Sequence, residues 1–199
     1  MSNATVTAND AGPILRGRAG SPALVGALTA YAGVGMFVAT ACGTYLSVRD
    51  KSDAGSFVAP KMLFNNYVAF MVTLTLVLAS VAAGWAVTSM RVGQRRWSTS
   101  GFGIAAFMNL AAGNLLWFLV RELRLGASGA VYEVILYGLF IVAAFTTLIG
   151  LAASLSGLFR ALSGQATASQ PHYGVIAAWG QHLATASWVA VYATIYLLK

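Results

Sequence analysis

The sequence predicts an all-α membrane protein, a bundle of five transmembrane helices, and three observations carry that prediction. Hydrophobic residues fill 58% of the 199 positions and charged residues only 9%, against about 25% charged in a soluble domain. Apolar residues gather into five long runs, each near or above the ~20 residues a helix needs to cross a bilayer. Gly, Pro, charge or Ser/Thr clusters separate the runs, as helix punctuation requires. Strands of a membrane barrel would instead alternate polar and apolar positions over about 10 residues. These runs are longer and apolar all round, so helices are expected.

Residues 1–22 are polar and small and include Asp10, Gly12, Pro13, Gly20 and Pro22. They read as a tail ahead of a transmembrane domain covering 23–199. The first span is expected at about 23–48. Arg16 and Arg18 before it give it the look of a signal peptide, but its apolar run exceeds the ~7–15 residues of such a core. Ala39-Thr40-Ala41-Cys42 has a loose likeness to a lipoprotein cleavage site, and the length of the run again favours a span. The second span, about 64–90, follows a loop holding Arg49, Asp50, Lys51, Asp53, Pro60 and Lys61. The third, about 101–120, follows a basic loop with Arg91, Arg95 and Arg96. The fourth is expected at about 131–159. The fifth, about 173–198, is introduced by the breaker-rich segment from Ser163 to Pro171.

The charge is +7, from 12 Lys and Arg against 5 Asp and Glu. The bases sit singly or in small groups between apolar runs, without the basic stripe and stacking aromatics of a nucleic-acid binder. They suit lipid headgroups. With five spans, Arg16, Arg18, Arg91, Arg95, Arg96 and Arg160 share one side. Arg49, Lys51, Lys61, Arg121, Arg124 and Lys199 share the other. The bases therefore tie under the positive-inside rule. The acids Asp50, Asp53, Glu122 and Glu133 all fall on the second side, which favours a cytoplasmic N-terminus.

Small residues at helical spacing, Ala39/Gly43, Ala79/Ala83, Gly150/Ser154 and Ala153/Gly157, let helix backbones approach closely in lipid. Ala32-Gly33-Val34-Gly35 lies inside a span and reads as packing. Trp85, Trp97, Tyr132, Tyr173 and Tyr196 lie toward span ends, as an interfacial belt would.

Groups able to do chemistry are sparse. The middles of the first three spans carry no acid, base or His, so the chain of ionisable groups that a proton pump or coupled transporter needs is missing. Glu133 lies near the start of the fourth span, and Arg121, Glu122 and Arg124 close the third. Cys42 is the single cysteine, which excludes an internal disulfide and a thiolate cluster. His172 and His182 are ten residues apart, about 15 Å and some 80° around a helix, so they cannot share a metal ion or bracket one haem. Asn65, Asn66, Asn109, Asn114 and Gln181 are amides suited to interhelical hydrogen bonds, with Asn109, Gly113 and Trp117 expected on one face at i, i+4, i+8. No phosphate loop, nucleophile elbow or dinucleotide fingerprint appears.

Three segments, in order, resemble one family. Gln181-His182-Leu183-Ala184-Thr185-Ala186-Ser187-Trp188, followed by Tyr192 and Tyr196, resembles the last helix of haem–copper oxidase subunit III, which reads aromatic-His-x-x-Asp-x-x-Trp before an aromatic tail. Thr185 stands at the Asp position. Met36-Phe37, Tyr45 and Arg49 resemble the family's Glu-x-Met-Phe-Phe helix, with Val34 at the position of its buried Glu. Thr146 and Gly150-Leu151 fit a Thr-Gly-x-His-Gly-x-His pattern whose His positions hold Ile149 and Ala152. The resemblance covers about residues 29–198.

It implies a non-catalytic accessory subunit in a bacterial-type plasma membrane. Such a subunit binds no cofactor itself, and haem and copper are expected in a partner subunit. Its partners would be the catalytic subunit I, other oxidase subunits and phospholipids. His182, Thr185, Trp188, Arg49 and Asn65 are the expected lipid or partner contacts. The lost Glu at Val34 argues against a proton-antenna role there. Two other readings fit the bundle: a structural or assembly subunit of another membrane complex, and a small transporter, which would need a polar path.

Overall fold

A computed structural model of the chain describes residues 22–51, 66–122, 131–165 and 171–198. They form five helices, α1 (Pro22–Lys51), α2 (Asn66–Arg91), α3 (Arg95–Glu122), α4 (Val131–Leu162) and α5 (His172–Tyr192), and α5 runs on into a π-helical turn, Ala193–Leu197. No strand occurs among the described residues. Residues 1–21 of the expected tail fall outside them, as does most of the loop before the second span, while Pro22, expected in the tail, opens α1.

Among the described residues, four helices are long and apolar enough to cross a membrane: Pro22–Lys51, Asn66–Arg91, Arg95–Glu122 and Glu133–Leu162. The expected fifth span, α5, is not among them, because Gln181, His182, Thr185 and Ser187 dilute its apolar residues. The third helix also begins earlier than the apolar run. Arg95 and Arg96, read as loop, form its first turn together with Trp97. Only Val92, Gly93 and Gln94 separate it from α2.

Two left-handed glycines make the turns at this end of the bundle. Gly93 has φ 77° and Gly164 φ 76°, a conformation that costs glycine little. Past α2, Gln94 N–H donates to Ser89 O at 2.9 Å and Gly93 N–H to Met90 O at 3.0 Å. Past α4, Gln165 N–H donates to Arg160 O at 3.0 Å. These bonds satisfy carbonyls that a helix end would orphan in a water-poor environment. Arg95 adds two more, donating from Nε to Ala161 O at 2.8 Å and from Nη2 to Leu162 O. The start of α3 thus closes the end of α4.

Helices α2, α3, α4 and α5 form a ring in which each packs on the next and α5 returns to α2. Helix α1 lies outside the ring, against α5 and α4. At one end the core is bulky: Val72, Leu76, Leu116, Leu119, Leu136, Phe140, Trp188 and Val191 are all buried. At the other it is mostly alanine, with Ala82, Ala83, Ala86, Ala105, Ala177 and Ala178 around Phe102. Small side chains there bring backbones close, which is how helices associate in lipid. A Cβ on Gly101 would stand 2.8 Å from Ala86 Cβ and 2.9 Å from Ala82 O. Of the small-residue pairs, Ala79/Ala83, Gly150/Ser154 and Ala153/Gly157 face the interior, while Ala39 and Gly43 are exposed on α1.

Helix α1 buries only Val38, Cys42 and Tyr45. Two polar ties hold its ends: Tyr31 Oη donates to Ile176 O at 3.1 Å, and Arg49 Nη1 donates to Leu198 O.

The glycine contacts predict a contrast. Gly101→Ala should cost about 1–3 kcal/mol through overpacking of α2 on α3 and lower the thermal midpoint in detergent. Gly33→Ala, which meets nothing within 4 Å, should leave it unchanged or raise it slightly. Equal midpoints for the two variants would refute the packing.

Candidate functional site

Three of the polar side chains that make α5 unusual, Gln181, Thr185 and Ser187, are buried in the interior. Gln181 is fully buried at the centre of the ring. Its Oε1 accepts from Asn109 Nδ2 of α3 at 2.6 Å and from Ser154 Oγ of α4 at 3.1 Å. Helices α3 and α5 stand on opposite sides of the ring, so this amide pair spans its diagonal. Asn109 Nδ2 also donates to Ala105 O of its own helix at 2.8 Å. Gly150 makes room for the pair, since a Cβ there would lie 3.0 Å from Asn109 Oδ1, 3.1 Å from Gln181 Oε1 and 2.7 Å from Ala184 Cβ. Asn109 Oδ1 and Gln181 Nε2 have no hydrogen-bond partner among the described residues.

One turn further along α5, Thr185 Oγ1 donates to Leu76 O of α2 at 2.9 Å and to Gln181 O at 3.1 Å. Trp188, fully buried, donates from Nε1 to Thr73 Oγ1 of α2 at 2.8 Å and packs against Phe140 of α4, ring centroids 6.4 Å apart. Its aromatic neighbours continue along α5 as Tyr192 and Tyr196, which stack at 5.1 Å. The Thr185–Leu76 and Trp188–Thr73 bonds join α5 to α2, in a medium where a polar group has little else to pair with.

His182 lies on the outer face of α5. It is exposed, and its Nδ1 lies 2.5 Å from Ser80 Oγ of α2. It lines an apolar groove of about 470 Å³ between α1 and α5, with Leu28, Tyr31, Gly35, Trp179 and Leu183. A second apolar groove, about 320 Å³, separates α1 from α4 and is lined by Phe37, Thr40, Ala41, Leu139 and Val142. A third hollow, about 440 Å³, holds Asn114 beside Trp117, Phe118 and Arg121.

The expected contact residues therefore separate. Only His182 faces outward. Thr185 and Trp188 are spent inside the bundle, with this chain's own helices as partners. Arg49 is half-buried, tied to Leu198 O and 3.6 Å from Asp50. Asn65 lies outside the described residues. Asn109, Gly113 and Trp117 share no single face: Asn109 is buried and Trp117 is 64% exposed, because eight helical steps turn some 80°. Ile149 is half-buried and Ala152 exposed on α4. Sequence reasoning missed Ser80, Thr73, Ser154 and Tyr31, whose partners lie far away in the chain. Among the described residues, no three His, Cys, Asp or Glu gather to hold a metal ion. Compared with known family models and with curated protein sequences, the chain matches none.

The Trp188–Thr73 bond is measurable by a double-mutant cycle. Trp188→Phe and Thr73→Val should each destabilise the bundle and show a coupling of about 0.6 kcal/mol, the mean for interhelical hydrogen bonds in membranes. Strict additivity would show that the bond contributes nothing.

Proposed function

We propose that this chain is a non-catalytic accessory subunit of a respiratory haem–copper oxidase, of the subunit III kind, with haem and copper carried by a larger partner. It crosses a bacterial-type plasma membrane five times, with its N-terminus in the cytoplasm. The observation that carries this reading is the stance of α1. It leans on the four-helix ring and leaves two apolar grooves on an outer surface that is itself apolar, with Phe37, Phe107, Trp117, Phe118, Phe145 and Phe159 each more than 50% exposed. Such a surface suits lipid chains and a large membrane partner. The polar chemistry of the interior is spent on joining helices.

The fifth crossing has physical support. The 21 residues of α5 alone rise about 32 Å at 1.5 Å each, enough for the ~30 Å hydrocarbon core. Gln181, Thr185 and Ser187 are buried, so apart from His182 the polar side chains that lower its hydropathy are kept from lipid. The described residues also support the orientation. Arg91, Arg95, Arg96 and Arg160 share the α2–α3 and α4–α5 end with no acid beside them, while Arg49, Lys51 and Arg121 share the other end with Asp50, Glu122 and Glu133. The bare cationic end is the one expected inside.

Purifying the tagged chain from its native membrane in mild detergent tests the reading. The expected result is co-purification with a large polytopic subunit and a haem absorption spectrum. A preparation with neither would overturn it.

A further inference from the structure

The hollow beside Asn114, about 440 Å³, belongs neither to the hydrogen-bonded interior nor to the grooves along α1. It opens between α2 and α3. Val68 and Phe118 give it apolar walls, and Asn114, Trp117 and Arg121 give it polar groups. Those three residues follow at i, i+3 and i+7 along one outward stripe of α3, and all are exposed. None of them has a hydrogen bond or an ion pair among the described residues. Glu122 follows Arg121 in the chain but turns a hundred degrees away around the helix.

The tryptophans of α3 mark its depth. Trp97 and Trp117 are 53% and 64% exposed. Twenty residues separate them, about 30 Å along the helix, which matches the thickness of the hydrocarbon core. Exposed indoles collect at both boundaries of that core. Arg121 then stands about 6 Å outside it, among headgroups, and Asn114 about 4.5 Å inside. Helical side chains lean toward the N-terminus, so Arg121 leans back toward Trp117 and Asn114. That lean agrees with all three lining one hollow.

The donor set selects the ligand. A guanidinium and an indole only donate, an amide donates through Nδ2, and no carboxylate or hydroxyl lines the hollow among the described residues. The ligand must therefore bring an anion at headgroup depth, a neutral acceptor just inside the core, and an apolar body. We infer that the hollow binds an anionic glycerophospholipid. Its phosphate accepts from Arg121, where a guanidinium can donate twice. An ester carbonyl accepts from Asn114 Nδ2, and an acyl chain lies against Val68 and Phe118. Free phosphate would leave Asn114 and the apolar walls unused. A zwitterionic headgroup would bring its own cation beside Arg121. The inference rests on α3 crossing the membrane, for which its length and composition suffice, and not on the oxidase partner or the fifth crossing.

The test is native mass spectrometry of the full chain in mild detergent, titrated with dioleoyl phosphatidylglycerol or dioleoyl phosphatidylcholine. Phosphatidylglycerol should bind saturably and more tightly than phosphatidylcholine, and millimolar inorganic phosphate should not displace it. Arg121→Gln should weaken phosphatidylglycerol binding about tenfold or more, the worth of a charge-assisted hydrogen bond. Asn114→Leu should weaken it roughly three- to tenfold, as for a neutral one. Arg96→Gln, exposed at the other end of α3, should leave it unchanged. Thermal midpoints of the lipid-free variants should equal wild type, since both altered side chains are exposed and unpaired. Equal binding by wild type, Arg121→Gln and Asn114→Leu would overturn the inference. So would displacement by phosphate, or a benzophenone amino acid at Phe118 that captures a polypeptide in native membranes and is not displaced by phosphatidylglycerol.

Discussion

The structure depends on a hydrogen bond across the diagonal of a helix ring. Asn109 and Gln181 meet at 2.6 Å between helices that otherwise touch little, and Ser154 joins the same oxygen from α4. In lipid, apolar surfaces gain little by meeting one another, so packing and polar contacts must select the arrangement. Sliding α5 by one residue would carry Gln181 away from Asn109 and Ser154, Thr185 from Leu76 O, and Trp188 from Thr73 together. The register of α5 is therefore fixed by several bonds to three helices. Gly150 belongs to the same device, because any larger residue would occupy the space of the amide pair.

Helix existence was legible because the apolar runs are long and their breaks are chemically plain. Boundaries were less so. Arg95 and Arg96 look like a loop by charge, yet Arg95 is helical and its guanidinium closes the carbonyl end of α4. The fifth helix shows a subtler conflict. Its amide, imidazole and hydroxyl groups lower its hydropathy by composition, and three of them, Gln181, Thr185 and Ser187, are buried by the fold. A scale that counts residues without their direction has no means of seeing this.

The site was legible only in part. Gln181, His182, Thr185 and Trp188 stand out in the sequence as polar or amphipathic side chains in an apolar run, and all four make defined contacts in the structure. Their directions were not legible. Residues 181, 185 and 188 fall on one face, and 182 falls a hundred degrees away, which separates the buried ladder from the outward imidazole. Ser80 was invisible as a partner because 102 residues separate it from His182 and a lone serine in an apolar run carries no signal.

The placement of α1 outside the ring bears on how the chain is made. Synthesis delivers α1 first and α5 last. A helix released early must wait among lipids before its neighbours exist. Between Pro22 and Val48, α1 has no amide, imidazole or charge, so it can wait at little cost. Helix α5 holds Gln181 and His182, which lipid solvates badly, and it emerges when Asn109, Ser154, Ser80 and Thr73 are already in place to receive it. The order of the helices along the chain is thus the order of their rising need for company.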